Sequence, residues 1–71
     1  MDDYQTILAS LERQYPGRMM VGVEEVATIF DCSVKTIYNG THRKAKNKFP
    51  VQPVAGKKFR LTDIARAIVG M

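Results

Sequence analysis

Residues 23–39 read VEEVATIFDCSVKTIYN, and this stretch decides which fold the sequence predicts. In its first half, apolar residues recur at the spacing of one helical face, at Val23, Val26, Ala27 and Phe30. Asp31-Cys32-Ser33 then interrupts the pattern, and Ser33 is a suitable N-cap for a second helix that begins at Val34. The stretch therefore predicts two helices joined by a short turn.

The residue types in this stretch suit a helix-turn-helix motif, whose second helix enters the major groove of DNA. Ala27 is small enough to lie where the two helices cross, and Ile37 is an apolar anchor for the second helix. Asp31 tolerates left-handed backbone angles better than most residues other than glycine. Cys32 is expected to be a small buried filler in the turn, with no redox or metal-binding role.

Further elements are predicted before the motif. Residues 3–15 have the pattern of a helix that ends at Pro16-Gly17. Its apolar stripe consists of Tyr4, Ile7, Leu8 and Leu11. The stripe is interpreted as a core face, and a dimer contact is the alternative. Residues 18–21 favour a short strand, and Gly22 is a permissible N-cap with Glu25 at the capping-box position.

After the motif, Asn39-Gly40 either ends the second helix or lies inside a helix that continues to about Lys46, and continuation is favoured. Residues 51–54 and 58–61 favour strands around a glycine-containing connection, which predicts a β-hairpin. Thr62 is expected to cap a last helix. Its inward face would consist of Ile64, Ala67 and Ile68.

The predicted fold class is mainly α with a small β-hairpin, in one domain that spans residues 1–71. Its parts are an N-terminal helix and turn (1–17), the helix-turn-helix (22–48), the hairpin (50–61) and a C-terminal helix (62–70).

Charge is strongly segregated along the chain. The net charge is +4, yet residues 32–62 contain eight Lys or Arg and no Asp or Glu. The remaining residues contain three basic and seven acidic side chains, so a part of charge −4 is joined to a part of charge +8. Such segregation creates a local positive field that attracts polyanions.

The candidate binding residues follow from this field and from the predicted helix. On the early outward face of the second helix, the candidates for reading base edges are Lys35, Thr36 and Asn39. Tyr38 is open between core packing and a hydroxyl contact to phosphate. The candidates for phosphate contacts along the helix end are Arg43, Lys44, Lys46 and Lys48. At the hairpin, Lys57, Lys58 and Arg60 are expected to reach the backbone or the adjacent minor groove.

Other classes of protein have less support. A single cysteine with a single histidine is not the signature of a metal site, and no nucleophile-base arrangement can be argued, so we expect neither metal, cofactor nor catalysis. Single-stranded RNA readers need more aromatic platforms than this basic segment offers. No membrane span or signal peptide is recognisable, and the expected location is the cytoplasm, in association with the nucleoid.

Several fragments, in this order and spacing, resemble the excisionases and phage AlpA-like regulators of the MerR-like winged-helix group. The fragments are Val23-Glu24-Glu25-Val26-Ala27, Ser33, Thr36-Ile37-Tyr38, Phe49-Pro50, Gly56-Lys57, Phe59-Arg60 and Thr62-Asp63-Ile64. The resemblance covers roughly residues 21–68 and implies a winged helix-turn-helix with an additional N-terminal helix. It matches Ser33, Lys35, Thr36 and Asn39 to the start of the recognition helix, and Lys57, Lys58 and Arg60 to the wing.

The function that the resemblance implies is sequence-specific binding of double-stranded DNA in a phage or mobile element. The protein would act as an excisionase, as a transcriptional regulator, or as both. The implied partners are an integrase or RNA polymerase, together with further copies of the same chain that bind cooperatively. The alternative is a protein-interaction module whose N-terminal helix docks on a phage or host protein.

Overall fold

The computed structural model describes residues 3–70, which contain four helices and a two-stranded antiparallel sheet. The helices are α1 (Asp3–Gln14), α2 (Val23–Phe30), α3 (Val34–Thr41) and α4 (Leu61–Val69). The strands are β1 (Met20–Val21) and β2 (Phe59–Arg60). The fold is therefore small and mainly helical, as predicted. Residues 1, 2 and 71, which the predicted boundaries include, lie outside the described residues.

The turn between α2 and α3 confirms the prediction for Asp31, which has left-handed backbone angles (φ 55°, ψ 50°). The Asp31 N–H donates to the Thr28 carbonyl at 3.3 Å, and the Cys32 N–H donates to the Ala27 carbonyl at 3.0 Å. This pair of bonds is a Schellman motif, with Asp31 at the position that glycine usually occupies. Ala27 and Ile37 are buried as expected, whereas Cys32 is only half-buried.

α3 ends at Thr41, so the prediction that it continues to about Lys46 is wrong. The cause is Phe49, whose backbone N–H donates to the Gly40 carbonyl at 2.8 Å. A Cβ atom on Gly40 would lie only 2.7 Å from the Cβ of Phe49, so only glycine permits this approach. The chain must leave the helix axis after Thr41 to bring Phe49 back against Gly40, and His42 accordingly has extended angles (φ −64°, ψ 142°).

The sheet joins two distant parts of the chain. Met20 of β1 lies opposite Arg60 of β2, and Val21 lies opposite Phe59 in antiparallel register. Val21 and Phe59 point inward and are fully buried, whereas Met20 and Arg60 lie on the exposed side. The predicted strand at residues 18–21 is confirmed in its second half, and its partner is the strand that precedes α4.

The predicted hairpin between residues 51–54 and 58–61 is largely wrong. The two sides are joined at the tip by the bridge from Ala55 to Lys58 and by a hydrogen bond from the Val54 N–H to the Lys58 carbonyl at 3.0 Å, and we call this tight connection the 55–58 turn. Residues 51–54 form no strand, because Pro53 has no N–H to donate and Val51 is instead buried in the core.

α4 begins earlier than predicted, at Leu61. Its N-cap is Arg60, not Thr62, and no side chain caps the helix. The Arg60 Nε donates to the Asp63 carboxylate at 3.0 Å, which places a negative charge in the first turn, where the helix dipole favours it. Thr62 therefore lies inside the helix.

α1 packs chiefly on α4, which supports the interpretation of its apolar stripe as a core face. Leu11 is buried, and Tyr4, Ile7 and Leu8 are half-buried against the core. The Arg66 guanidinium of α4 lies 5.6 Å from the centre of the Tyr4 ring. The largest fully buried side chains are Val21, Val26, Ile37, Phe59 and Ile64.

None of the helices in residues 3–70 has the length and apolar character that a membrane crossing requires.

Glu25 joins β1 to the start of α2. Its Oε2 accepts a hydrogen bond from the Gly22 N–H at 3.0 Å, and its Oε1 lies 3.6 Å from the Arg18 guanidinium. The pKa of Glu25 lies below its ordinary value, chiefly because its own backbone N–H donates to the carboxylate. Partial burial opposes this effect, and the Gly22 N–H and the charges of Arg18 and Lys58 lower the pKa further.

Glu25→Gln tests the charge alone, because the amide oxygen can still accept from the Gly22 N–H. Since folding lowers the pKa, the charge stabilises the fold above an unfolded value of about 4.3, and this contribution is lost as the pH falls through the folded value. We expect the variant to be less stable than the wild type at neutral pH in urea unfolding, and the difference to disappear once the pH falls below the folded pKa of Glu25. Glu24→Gln removes the adjacent charge as a control. An equal pH dependence in both variants would contradict the assignment.

Gly40→Ala tests the close approach of Phe49. Alanine in place of an interior helical glycine ordinarily stabilises a protein by about 1 kcal/mol. At Gly40 the added methyl group meets the Phe49 backbone, and we expect a destabilisation of about 1–3 kcal/mol in urea unfolding. Asn39→Ala, at the exposed neighbouring position, is the control and should be neutral or slightly stabilising. A stabilised Gly40→Ala protein would show that the contact does not constrain the fold.

Candidate nucleic-acid interface

Four residues of α3 face solvent, and we call them the exposed arc. At about 100° per residue, they follow one another around the helix in the order Tyr38, Lys35, Asn39, Thr36. Ile37 lies on the opposite side of the helix, Gly40 lies just beyond the Thr36 edge, and both are buried. Tyr38 is 42% exposed, so it belongs to the arc and not to the core. Lys35, Thr36 and Asn39, predicted from the sequence as one set, thus lie on one continuous surface.

Ser33 fixes the start of this helix. Its Oγ accepts a hydrogen bond from the Thr36 N–H at 3.1 Å, which confirms the predicted N-cap. The Ser33 and Thr36 hydroxyls also lie 2.9 Å apart and share a hydrogen bond. Among residues 3–70, the side chains of Lys35 and Asn39 have no hydrogen-bond partner, which leaves their donors available to a ligand.

The 55–58 turn lies beside one edge of the exposed arc. The Nζ of Lys57 is 5.0 Å from the centre of the Tyr38 ring, at the distance of a cation–π contact. Gly56 permits the tight connection because its φ is +59°. The contact holds a positive charge of the turn next to α3.

The residues that follow α3, 42–48, form what we call the basic loop. The Lys48 ammonium donates to the carbonyls of His42 (2.9 Å) and Arg43 (3.1 Å). The Nδ1 of His42 accepts from the Lys44 N–H at 3.1 Å. Lys48 therefore holds the loop together. The exposed cations that remain on the loop are Arg43, Lys44 and Lys46.

An open groove of 470 Å³ separates the exposed arc from the basic loop. Thr36 and Asn39 line one wall, and Lys46 and Asn47 line the other. Gly40, Ala45, Lys48, Phe49 and Pro50 complete the lining. The groove therefore combines hydroxyl, amide and ammonium donors with an apolar floor.

The three cations predicted for the hairpin do not form one surface. Lys57 lies beside α3, whereas the charge of Lys58 acts on Glu25 of α2. Arg60 is paired with Asp63 and lines a different cleft, next to Leu8 of α1 and Met19. Lys57 thus adjoins the exposed arc, and Arg60 lies away from it.

Neither α3 nor the basic loop contains an Asp or Glu side chain. Within residues 3–70 the ion pairs are Arg18–Glu25 and Arg60–Asp63, and both lie outside α3 and the basic loop. The charge segregation of the sequence thus persists in three dimensions as a local positive surface. In the described part of the chain, no three His, Cys, Asp or Glu side chains are grouped so that they could hold a metal ion.

Asn47 is a candidate that the sequence reasoning missed. It lines the groove opposite Asn39, and its amide can donate to an anion. A signal was present, because Asn47 is a neutral hydrogen-bonding residue between two lysines. The phosphate contacts predicted for this segment were all cations, so the neutral Asn47 was not among them.

Comparisons with protein-family models, curated proteins and solved structures gave no match for this chain.

Ser33→Ala tests whether the cap holds α3 in place. Loss of the acceptor for the Thr36 N–H should destabilise the protein by about 1 kcal/mol, measured by thermal or urea unfolding. Ser33→Asp is the matched control, because aspartate caps helices as well as serine does and should restore stability. If alanine and aspartate were equally stable, the cap would not contribute to the fold.

Proposed function

We propose that this protein is a sequence-specific binder of double-stranded DNA with a winged helix-turn-helix architecture. In this proposal α3 is the recognition helix and the 55–58 turn is the tip of a short wing. The observation that carries the proposal is the exposed arc, a helical surface without carboxylates that has basic side chains on both flanks. An α-helix with such a surface fits the major groove of B-DNA.

Base reading is assigned chiefly to Asn39 and Lys35 at the centre of the arc. An asparagine amide can bond adenine through two atoms at once, and a lysine ammonium can reach guanine acceptors. Thr36, whose hydroxyl is bonded to Ser33, is assigned an edge contact. Tyr38, at the other edge of the arc, is assigned the role of holding Lys57 in place through the cation–π contact.

Phosphate contacts are assigned to four cations that surround the arc, and these are Arg43, Lys44, Lys46 and Lys57. Four such contacts predict that log affinity falls against log salt concentration with a slope of about −3.6, from about −0.9 for each contact. Arg60 is left out of this assignment because it is paired with Asp63, and Lys58 is left out because no contact within residues 3–70 places it beside the arc.

The resemblance to excisionases and AlpA-like regulators supplies the biological setting of the proposal. It favours target sites near attachment sequences or promoters, with an integrase or RNA polymerase as protein partner and cooperative binding of several copies. The alternative, a protein-interaction module that uses the stripe of α1, has less support because Leu11 is buried and the rest of the stripe packs against the core.

The test measures binding to a random duplex and to a duplex that the protein selects from a random pool. Lys57→Ala should weaken binding to both and flatten the salt slope by about 0.9. Asn39→Ala should cost about 1–3 kcal/mol on the selected duplex and little on the random one. Arg13→Ala, which removes one positive charge from α1, is the control for net charge.

The proposal fails if the wild-type protein binds no duplex. It also fails if Arg13→Ala weakens binding as much as Lys57→Ala does, because net charge alone would then account for the attraction.

A further inference from the structure

We infer that this protein holds the two strands of its DNA site with two separate arms, one on each side of α3. The inference rests on the proposed function and adds a phosphate-binding groove with Asn47 as a contact residue. Lys57 of the 55–58 turn would hold one strand. Lys46 and Asn47 of the basic loop would hold the other.

The two arms lie at different positions around α3. Tyr38 and Thr36 are the two edges of the exposed arc and lie about 160° apart around the axis of α3, by helical periodicity. Lys57 adjoins the Tyr38 edge at 5.0 Å from the ring. The groove with Lys46 and Asn47 adjoins the Thr36 edge. The two arms are therefore on opposite sides of the base-reading surface.

The DNA major groove is about as wide as an α-helix with its side chains. An α-helix with its side chains is about 10–12 Å wide, and the major groove is about 12 Å wide. A helix seated there has one phosphate backbone on each side, and the two backbones belong to different strands. Groups on opposite edges of α3 must then face different strands.

Contacts at both ends hold the basic loop in place. Lys48 ties its start to the carbonyls of His42 and Arg43. At its other end, the Phe49 ring packs edge-on against Phe30 with 5.1 Å between ring centres, and the Gln52 amide donates to the Phe49 carbonyl at 2.9 Å. Because the loop is fixed at both ends, the groove exists before DNA arrives, and little ordering entropy opposes binding.

The groove is lined by hydrogen-bond donors and by apolar surface. The polar groups on its walls are the Thr36 hydroxyl, the Asn39 and Asn47 amides and the ammonium groups of Lys46 and Lys48. All of these can donate hydrogen bonds and none is a carboxylate, which suits the oxygens of a phosphodiester. Phe49 and Pro50 contribute apolar surface that suits a deoxyribose. One segment of DNA backbone therefore matches both the walls and the floor.

The experiment is hydroxyl-radical footprinting on the selected duplex, with each strand labelled in turn. The wild-type protein should protect sugars on both strands. Lys57→Ala should lose protection on one strand, and the double variant Lys46→Ala/Asn47→Ala should lose it on the other. These side chains are exposed, and circular dichroism checks that the variants fold. Arg13→Ala should protect both strands as the wild type does.

Salt dependence gives a second readout on a random duplex. Lys46→Ala should flatten the slope by about 0.9, whereas Asn47→Ala should weaken binding several-fold at an unchanged slope, because the amide carries no charge. Loss of protection on the same strand by both arm variants would overturn the two-arm arrangement, as would a double variant that binds like the wild type. Absence of any wild-type footprint or binding would instead overturn the proposed function itself.

Discussion

The contact between Gly40 and Phe49 is the constraint on which the candidate surface depends. Gly40 has no side chain, so the backbone of Phe49 can approach α3 closely enough to donate its N–H to the Gly40 carbonyl at 2.8 Å. Phe49 is also held by the Phe30 ring, which links this contact to α2. The chain must therefore turn back after two turns of α3, and the seven residues of the basic loop lie alongside the helix instead of extending it. A bulky side chain at Gly40 would remove the groove and the second basic flank together.

Charge and geometry cooperate around this contact. The cations between residues 32 and 62 are continuous in sequence but divide into groups in the fold. Lys57 and the basic loop flank the exposed arc, which itself contains Lys35, whereas Arg60 pairs with Asp63 beside α1. The Lys48 ammonium donates hydrogen bonds to backbone carbonyls and thereby shapes the loop. The positive surface is therefore smaller than the composition suggests, and it is concentrated around α3.

The predictions that succeeded concern residues whose local chemistry settles their conformation. Asp31 tolerates left-handed angles and Ser33 caps a helix in almost any context, so both ends of the turn between α2 and α3 were predicted correctly. The apolar spacing of α1 likewise predicted a packed stripe, of which Leu11 is the buried member. The predictions that failed concern competition between distant segments. The strand at Phe59–Arg60 pairs with Met20–Val21, 39 residues away, and not with the adjacent residues 51–54. Val51 is buried in the core, and the local sequence pattern does not predict its burial.

The sequence by itself determined the order of the helices, the turn that joins α2 to α3, and the segregation of charge, because capping preferences, apolar periodicity and net charge are local properties. The tertiary structure alone decided where α3 ends, which strands pair, and which cations share a surface. Each of these depends on a close approach between residues far apart in the chain, as between Gly40 and Phe49 or between Tyr38 and Lys57. Such approaches are selected by the packing of the whole core, and a one-dimensional pattern does not contain that information.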